Sequence, residues 1–317
     1  MLITRSWDEA EIALSTGGKV LFLPRLADVD WTSPPLDTVP IFWNRMMTPG
    51  WGRMLGLWCD ARHPALAGFP TEMSADWQWL DLVRRARAVN LDRLPRALQP
   101  IVQPVDDWNR NYKLGLVFEC RVGGGRLIVC SSDLTDALDS RPAARQLRRS
   151  LLDYMAGSRF QPAIAVSAAE IRALLFDTQI MRKLGARAEA QGAAANAIDG
   201  DPNTFWLAGE RGPAYPHELT VSFPAPVSMA GLVCMPRQNH REHQGDIREY
   251  VVQVSDDGNN WREVARGEWV SSYAPQPVRF LQAITARYLK LTALSGFGPD
   301  TAASLAELAV IQNQPGR

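Results

Sequence analysis

The residues of this chain most suited to nucleophilic or metal chemistry are four cysteines, at 59, 120, 130 and 234, and four histidines. The cysteines form no CxxC pair and share no spacing with histidine that suits zinc. A cysteine nucleophile needs a tight, glycine-flanked elbow and a histidine base within reach. Cys130 closes the run Ile128-Val129-Cys130 with no glycine at that spacing, and His63 is the one histidine in the first half, near Cys59. All four cysteines read as free, mostly buried thiols. Asp106 with Asp107, and Glu72 with Asp76, are the paired carboxylates that glycoside hydrolysis would use. Acids beside a loop are ordinarily solvated. Gly123, Gly124 and Gly125 lie between two apolar runs, without the strand-to-helix context of a phosphate loop. Asp199-Gly200-Asp201 is a different kind of signal. Its glycine admits a left-handed turn. Thr204 adds a hydroxyl and Glu307 a carboxylate from far along the chain. Hard oxygen ligands on a tight loop suit calcium; the same turn also reads as one capped by its own side chains.

The elements that must position these residues belong to an ordinary globular chain. Of 317 residues, 46% are hydrophobic and 21% charged, which fits two domains. Lys plus Arg and Asp plus Glu both number 34. A phosphate-backbone binder carries a basic excess, so nucleic acid is not expected as a partner. No apolar run approaches the roughly 18 residues of a membrane span. The start, MLITRSWDEAEIAL, has no apolar h-region and reads as no signal peptide. Eleven tryptophans, eight of them before residue 110, call for a large aromatic core or an extended contact surface.

The first half alternates helix and strand signals. Ser6 caps a helix to about residue 15, and KVLFLP (19–24) reads as a buried strand. IFW (41–43) is a further apolar run, and residues 74–88 read as a helix with Arg84, Arg85 and Arg87 in its last turns. PIVQPV (100–105) follows, then KLGLVFECRV (113–122) and RLIVCSS (126–132), facing each other as a hairpin with Cys120 near Ile128. A helix over about 141–155 has Pro142 in its first turn. This is an α/β layer pattern over 1–158. Residues 159–187 read as a linker with a short helix. From 188 to 317, short strands alternate with turns (217–223, 230–236, 250–255, 287–294, 306–312), and Asp257-Gly258-Asn259-Asn260 marks a hairpin. That pattern predicts a β-sandwich.

The segments Ala197-Ile-Asp-Gly-Asp-Pro-Asn-Thr-Phe-Trp206, Pro236-Arg237, Tyr250…Ser255-Asp-Asp-Gly-Asn-Asn-Trp261, Arg287-Tyr-Leu-Lys-Leu291 and Ala306-Glu-Leu308 resemble the discoidin fold. This is the coagulation-factor type C domain, an all-β jelly roll to which family 32 carbohydrate-binding modules belong. The resemblance implies structural calcium held by Asp199, Asp201, Thr204 and Glu307, with carbonyls near Ala197 and Ala306. It also implies a sugar site on the loops at one end of the sandwich. Arg237 fits the usual arginine, Gln244 stands where an asparagine is usual, and Phe297 fits the stacking aromatic. Galactose-binding members carry a histidine just after the tryptophan of the first loop, and Leu207 stands there instead. Glu210, Arg211, His240 and His243 are loop residues that could substitute; each also reads as solvated.

In the first half, HPALAGFPTE (63–72), DWQWLDL (76–82), residues 94–134 and SRPAARQLRRSLLDYM (140–155) resemble the region after the catalytic barrel in some family 2 glycoside hydrolases, β-galactosidase-like enzymes. That region resembles a degenerate amidotransferase-like or flavodoxin-like α/β domain. The implied function is a non-catalytic, carbohydrate-binding accessory region. Its partners are a glycan or monosaccharide and the catalytic domain of a glycoside hydrolase, in a periplasmic or extracellular bacterial setting. An enzyme with its own site in the α/β half is the competing reading, and an adhesive or lipid-binding discoidin domain a third.

Overall fold

The structure, a computed structural model, describes residues 1–34, 36–37, 54–106, 111–209, 214–238, 243, 245–298 and 301–312. The chain divides into two compact units, Met1–Asp177 and Thr178–Arg317.

The first unit begins with strand β1 (Leu2–Thr4), a helix over Trp7–Ser15 and strand β2 (Lys19–Phe22), which pairs parallel to β1. Ser6 caps that helix, its hydroxyl accepting the Glu9 N–H at 3.4 Å, and Asp8 and Glu9 complement the positive end of the helix dipole. β3 (Gly56–Cys59), β4 (Val89–Asn90), β5 (Val102–Val105), β6 (Leu114–Gly115), β7 (Val117–Val122) and β8 (Gly125–Cys130) follow. The main sheet runs β1-β2-β8-β7-β5-β3. β2 and β8 pair parallel, while β8–β7, β7–β5 and β5–β3 are antiparallel. Helices and sheet are layered as the sequence suggests, but this mixed sheet departs from the mostly parallel sheet of a flavodoxin-like domain.

Strand alternation gives the sheet two apolar faces. Leu21, Ile128 and Cys130 pack with Trp79, Leu82, Leu147, Leu151 and Phe160 on one side. Val20, Phe22, Leu127 and Val129 pack with Trp7, Leu14, Cys120, Ile171 and Leu174 on the other. The helix Pro142–Ala156 forms as expected. The helix expected over 74–88 is confined to Trp79–Arg84. Ser74 bridges Trp58, Ala86 bridges Ser132, and β4 pairs with β6, so residues at both ends are drawn into extended pairings. The run 113–122 breaks at Leu116 because β6 and β7 serve different partners. Cys120 stands opposite Leu127, one residue from the expected register.

Residues 159–176 belong to this unit rather than to a free linker. Phe160, Val166, Ile171 and Leu174 are buried in its two cores. The short helix Ala168–Arg172 carries a capping box between Ser167 and Glu170.

The second unit holds β9 (Arg187–Glu189), β10 (Trp206–Ala208), β11 (His217–Met235), β12 (Glu249–Ser255), β13 (Arg262–Glu268), β14 (Gln276–Ala293), β15 (Ala303–Leu305) and β16 (Glu307–Gln312). The order is β13-β12-β14-β11-β16, with β9 also on β11 and a separate β10–β15 pair. It is the all-β unit that the strand-and-turn pattern predicts. The expected strands at 217–223 and 230–236 are one strand, β11, which pairs with β14 through register shifts between Ser222 and Val227 and between Met229 and Gly231. Pro224, Ala225 and Pro226 fill the first shift and are exposed. Proline donates no ladder hydrogen bond, so it is tolerated at such a break. Trp206, Leu219, Val221, Leu232, Val252, Leu289, Leu291 and Leu308 are fully buried in this unit. In the β12–β13 hairpin, Asp257 accepts the N–H groups of Asn259 and Asn260 at 2.8 Å each. These hydrogen bonds hold its carboxyl well below the usual carboxylate range.

Candidate functional site

At one end of the sandwich, Arg237 follows the last residues of β11. Its guanidinium carbon lies 4.1 Å from the centre of the Phe205 ring, the residue just before β10. The next side chain, Gln238, is buried and donates through Nε2 to Pro236 O at 2.7 Å and Tyr273 O at 2.9 Å. Arg237 is thus held by a stacked ring below and a pinned turn beside it.

Asp246 organises the rest. It is 2% exposed, and its Oδ2 meets His243 Nδ1 at 2.9 Å. The His243 ring lies 4.2 Å from that of Tyr273, and its backbone is left-handed at φ 55°. The Asp246 carbonyl accepts the Phe297 N–H at 2.9 Å, and its own N–H donates to His243 O at 3.1 Å. Burial pushes the Asp246 carboxyl up to about 6, against the opposing pull of His243 and then of Arg237. Arg237 and Phe297, expected at the site, therefore both bear on Asp246, the first on its buried carboxylate and the second, through its backbone N–H, on its main-chain carbonyl. Phe297 is half-buried. Leu207 pairs with Ser304 in the β10–β15 ladder. Gln244, Glu210, Arg211 and His240 lie outside the described residues. Asp246 was not singled out from sequence; its signal is the histidine three residues before it.

The Asp199 loop is compact. Asp199 Oδ1 accepts the Asp201 N–H at 2.8 Å, and its Oδ2 accepts the Thr204 hydroxyl at 2.8 Å. Asp201 Oδ1 accepts from Asn203 at 3.1 Å and 2.8 Å. Gly200 has φ +83°, and a Cβ there would fall 2.2 Å from Gln179 Nε2 and 2.8 Å from Thr178 O. Ala197 and Ala306 are buried, and Glu307 opens β16 at 1% exposure opposite Met235. Asp199, Asp201 and Thr204 are thus joined in one hydrogen-bonded turn. The donors are all oxygens, which fits a hard cation. Among the described residues no three His, Cys, Asp or Glu side chains converge as a metal cluster.

In the first unit, burial pushes Cys59 up to about 11 and Cys120 and Cys130 up to about 12. In the second unit, Cys234 is raised by the same cause. All four thiols are buried and free. His63 is not turned to Cys59 chemistry. Its Nδ1 accepts the Ala65 N–H at 3.2 Å, its Nε2 lies 4.0 Å from Glu119 Oε1, and its ring stands edge-on to Tyr154. Asp106 is buried and accepts the Tyr112 N–H at 3.0 Å, while Asp107 lies outside the described residues. Glu72 and Asp76 are exposed. Trp7, Trp31 and Trp79 are in the core, but Trp58 and Trp77 are exposed. Trp43, Trp51 and Trp108 lie outside the described residues, as does the run 41–43. No helix among the described residues is long and apolar enough to cross a membrane.

Comparison with known proteins agrees with the two-unit division. Residues 184–308 match the F5/8 type C domain. A sialidase of Micromonospora viridifaciens is 36% identical over 127 residues, covering 39% of this chain and 19% of the sialidase. A galactose oxidase of Gibberella zeae is 34% identical over 120 residues, 37% of this chain and 17% of the oxidase. The chain thus spans less than a fifth of either relative. Among solved structures, the Clostridium perfringens module CpGH89CBM32-5, in complex with GalNAc-β-1,3-galactose, is 30% identical with TM-score 0.38. The alignment covers 42% of this chain and 98% of that one. The family 32 CBM of C. perfringens NanJ, in complex with galactose, is 29% identical with TM-score 0.37, covering 42% and 96%. Ahead of its F5/8 type C domain, through residues 2–176, the chain belongs to the family described as Domain of unknown function (DUF8487).

Proposed function

We propose that the sandwich binds a sugar at the loops around Asp246. Arg237 and the amide of Gln244 hydrogen-bond the ring hydroxyls, and Phe297 covers the apolar C–H face. The observation that carries this reading is the common attachment of Arg237 and Phe297 to Asp246. The sequence kinship to segments of a sialidase and a galactose oxidase supports a saccharide as the ligand class. Leu207, in place of a histidine, argues for a sugar other than galactose or for a recruited side chain such as Glu210 or His240. Calcium at the Asp199 loop, with Glu307 and the carbonyls of Ala197 and Ala306, is part of the same reading; when bound it would brace the loop that carries Phe205.

The raised, buried thiols and the engaged His63 support a non-catalytic first unit. The chain would then be an accessory region of an exported glycan-degrading enzyme, such as a family 2 glycoside hydrolase, with that enzyme's catalytic domain as partner. Titrating galactose, N-acetylgalactosamine, glucose and mannose by NMR tests the site. Small open sites of this kind bind at about 0.1–1 mM, or roughly 4–5.5 kcal/mol. At least one sugar should shift resonances of the 237–246 and 297 loops, and Arg237→Ala should remove the shifts. Identical shifts in both proteins would move the site elsewhere on the sandwich.

A further inference from the structure

A cleft of about 720 Å³ lies in the first unit between the segment 69–81 and the start of the helix Pro142–Ala156, a volume ordinary for a small-molecule site. Trp77 stands in its wall and is 86% exposed. The segment that carries this indole is pinned by the residues after it. Two residues on, Trp79 is fully buried, donates to Thr71 Oγ1 at 2.8 Å and packs edge-on against Phe69. Between the two, Gln78 Nε2 donates to Pro70 O at 2.6 Å. A large apolar ring exposed at a cleft offers a flat face that gains from being covered.

The opposite wall carries charge. Arg141 and Asp81 are spent on each other at 2.7 Å, and Arg141 also reaches Asp133 at 3.2 Å. Arg145 is different. Its guanidinium touches only the carbonyls of Leu138 and Asp139, at 3.4 and 3.3 Å, and it pairs with no carboxylate among the described residues. The cleft therefore joins an exposed indole face to one uncommitted cation. A pyranose ring stacks its C–H face on such an indole, and a carboxylate answers such a guanidinium bidentately.

We propose that this cleft is a second saccharide site, specific for oligosaccharides bearing uronic acid, with the sugar ring on Trp77 and its carboxylate on Arg145. It is independent of the sandwich site. The test uses the full chain with Arg237→Ala, to weaken the proposed sandwich site, titrated with trigalacturonate and with cellotriose and followed through the indole N–H resonances, which report the cleft separately. Trigalacturonate should shift the resonance that Trp77→Ala deletes, and cellotriose should bind at least tenfold more weakly. Trp77→Ala and Arg145→Ala should each cost tenfold or more in trigalacturonate affinity, with Arg145→Lys recovering part of the loss. An unchanged thermal midpoint and Trp79 resonance show that these surface variants remain folded. No shift at Trp77 with trigalacturonate, or equal binding of the two sugars, would overturn the proposal.

Discussion

The guanidinium of Arg237 stacks 4.1 Å above the ring of Phe205, so the residue proposed to meet the sugar rests on the loop proposed to hold the ion. A hydrogen bond to a charged group contributes about 1.5–3 kcal/mol, and an exposed cation–π contact about 0.5–1 kcal/mol. Losing the hydrogen bond, Arg237→Ala should therefore weaken sugar binding by roughly ten- to 160-fold. Phe205→Leu keeps the arginine but frees it, and should cost only about two- to fivefold. NMR titration of both variants checks the order; equal losses would mean that Phe205 itself contacts the sugar.

Calcium at the Asp199 loop should stabilise the sandwich by mass action, by about 2.7 kcal/mol when the free ion is a hundred times its Kd. A chelator should then lower the thermal midpoint by several degrees. Asp199→Ala, which also loses the hydrogen bonds to Asp201 and Thr204, should melt somewhat below that temperature and no longer respond to the ion. A midpoint indifferent to chelator would leave the hydrogen bonds of Asp199 and Thr204 as the whole account of the loop.

Asp246 makes a pH prediction with a definite sign. Its carboxyl is raised from 3.8 to about 6. Between those values the folded state keeps a proton that the unfolded chain has released. This group's contribution to stability is thus present at low pH and falls as pH rises through roughly 4–6, then stays level. Measured against Asp246→Asn in urea melts at pH 4.5, 5.5 and 7, the wild type should lose on the order of 2 kcal/mol across that span. A constant difference between the two proteins would refute the buried, raised carboxyl.

The four cysteines should be inert in the folded chain. Thiolate is the reactive form, and burial keeps Cys59, Cys120, Cys130 and Cys234 protonated at pH 8. An aromatic disulfide reagent should titrate none of them until denaturant is added, and then all four. Fast labelling of Cys59 before unfolding would reopen the case for thiol chemistry beside His63.

Some of this architecture is legible in the residues because its causes are local. Ser6 and the apolar positions 7, 10 and 14 specify the first helix without help from elsewhere. Pro142 and the stripe Leu147, Leu151 and Met155 do the same for the long one. The stretch 74–88 misleads because its tryptophans and leucines suit either state, and partners fifteen to fifty residues away decide it. Pro224 and Pro226 look like the end of a strand, yet β11 continues past them because β14 lies alongside on both sides of the shift. At the sugar site, Arg237 and Phe297 are visible as residue types in a familiar order. That Asp246 gathers them is not visible, because burial of one acid among several in a polar loop depends on the surrounding loops.

β11 carries two short neighbours on the same edge: β9 opposite Thr220–Ser222 and β16 opposite Met229–Met235. The first strand of the unit thus begins beside Ser222 and the last ends beside Met229, both running the same way along one border. A unit whose first and last strands share one border of one long strand can be spliced into a loop of another protein without disturbing the ladder. Portability of this sort is a geometric property of β11, separate from anything the loops at the sandwich's end bind.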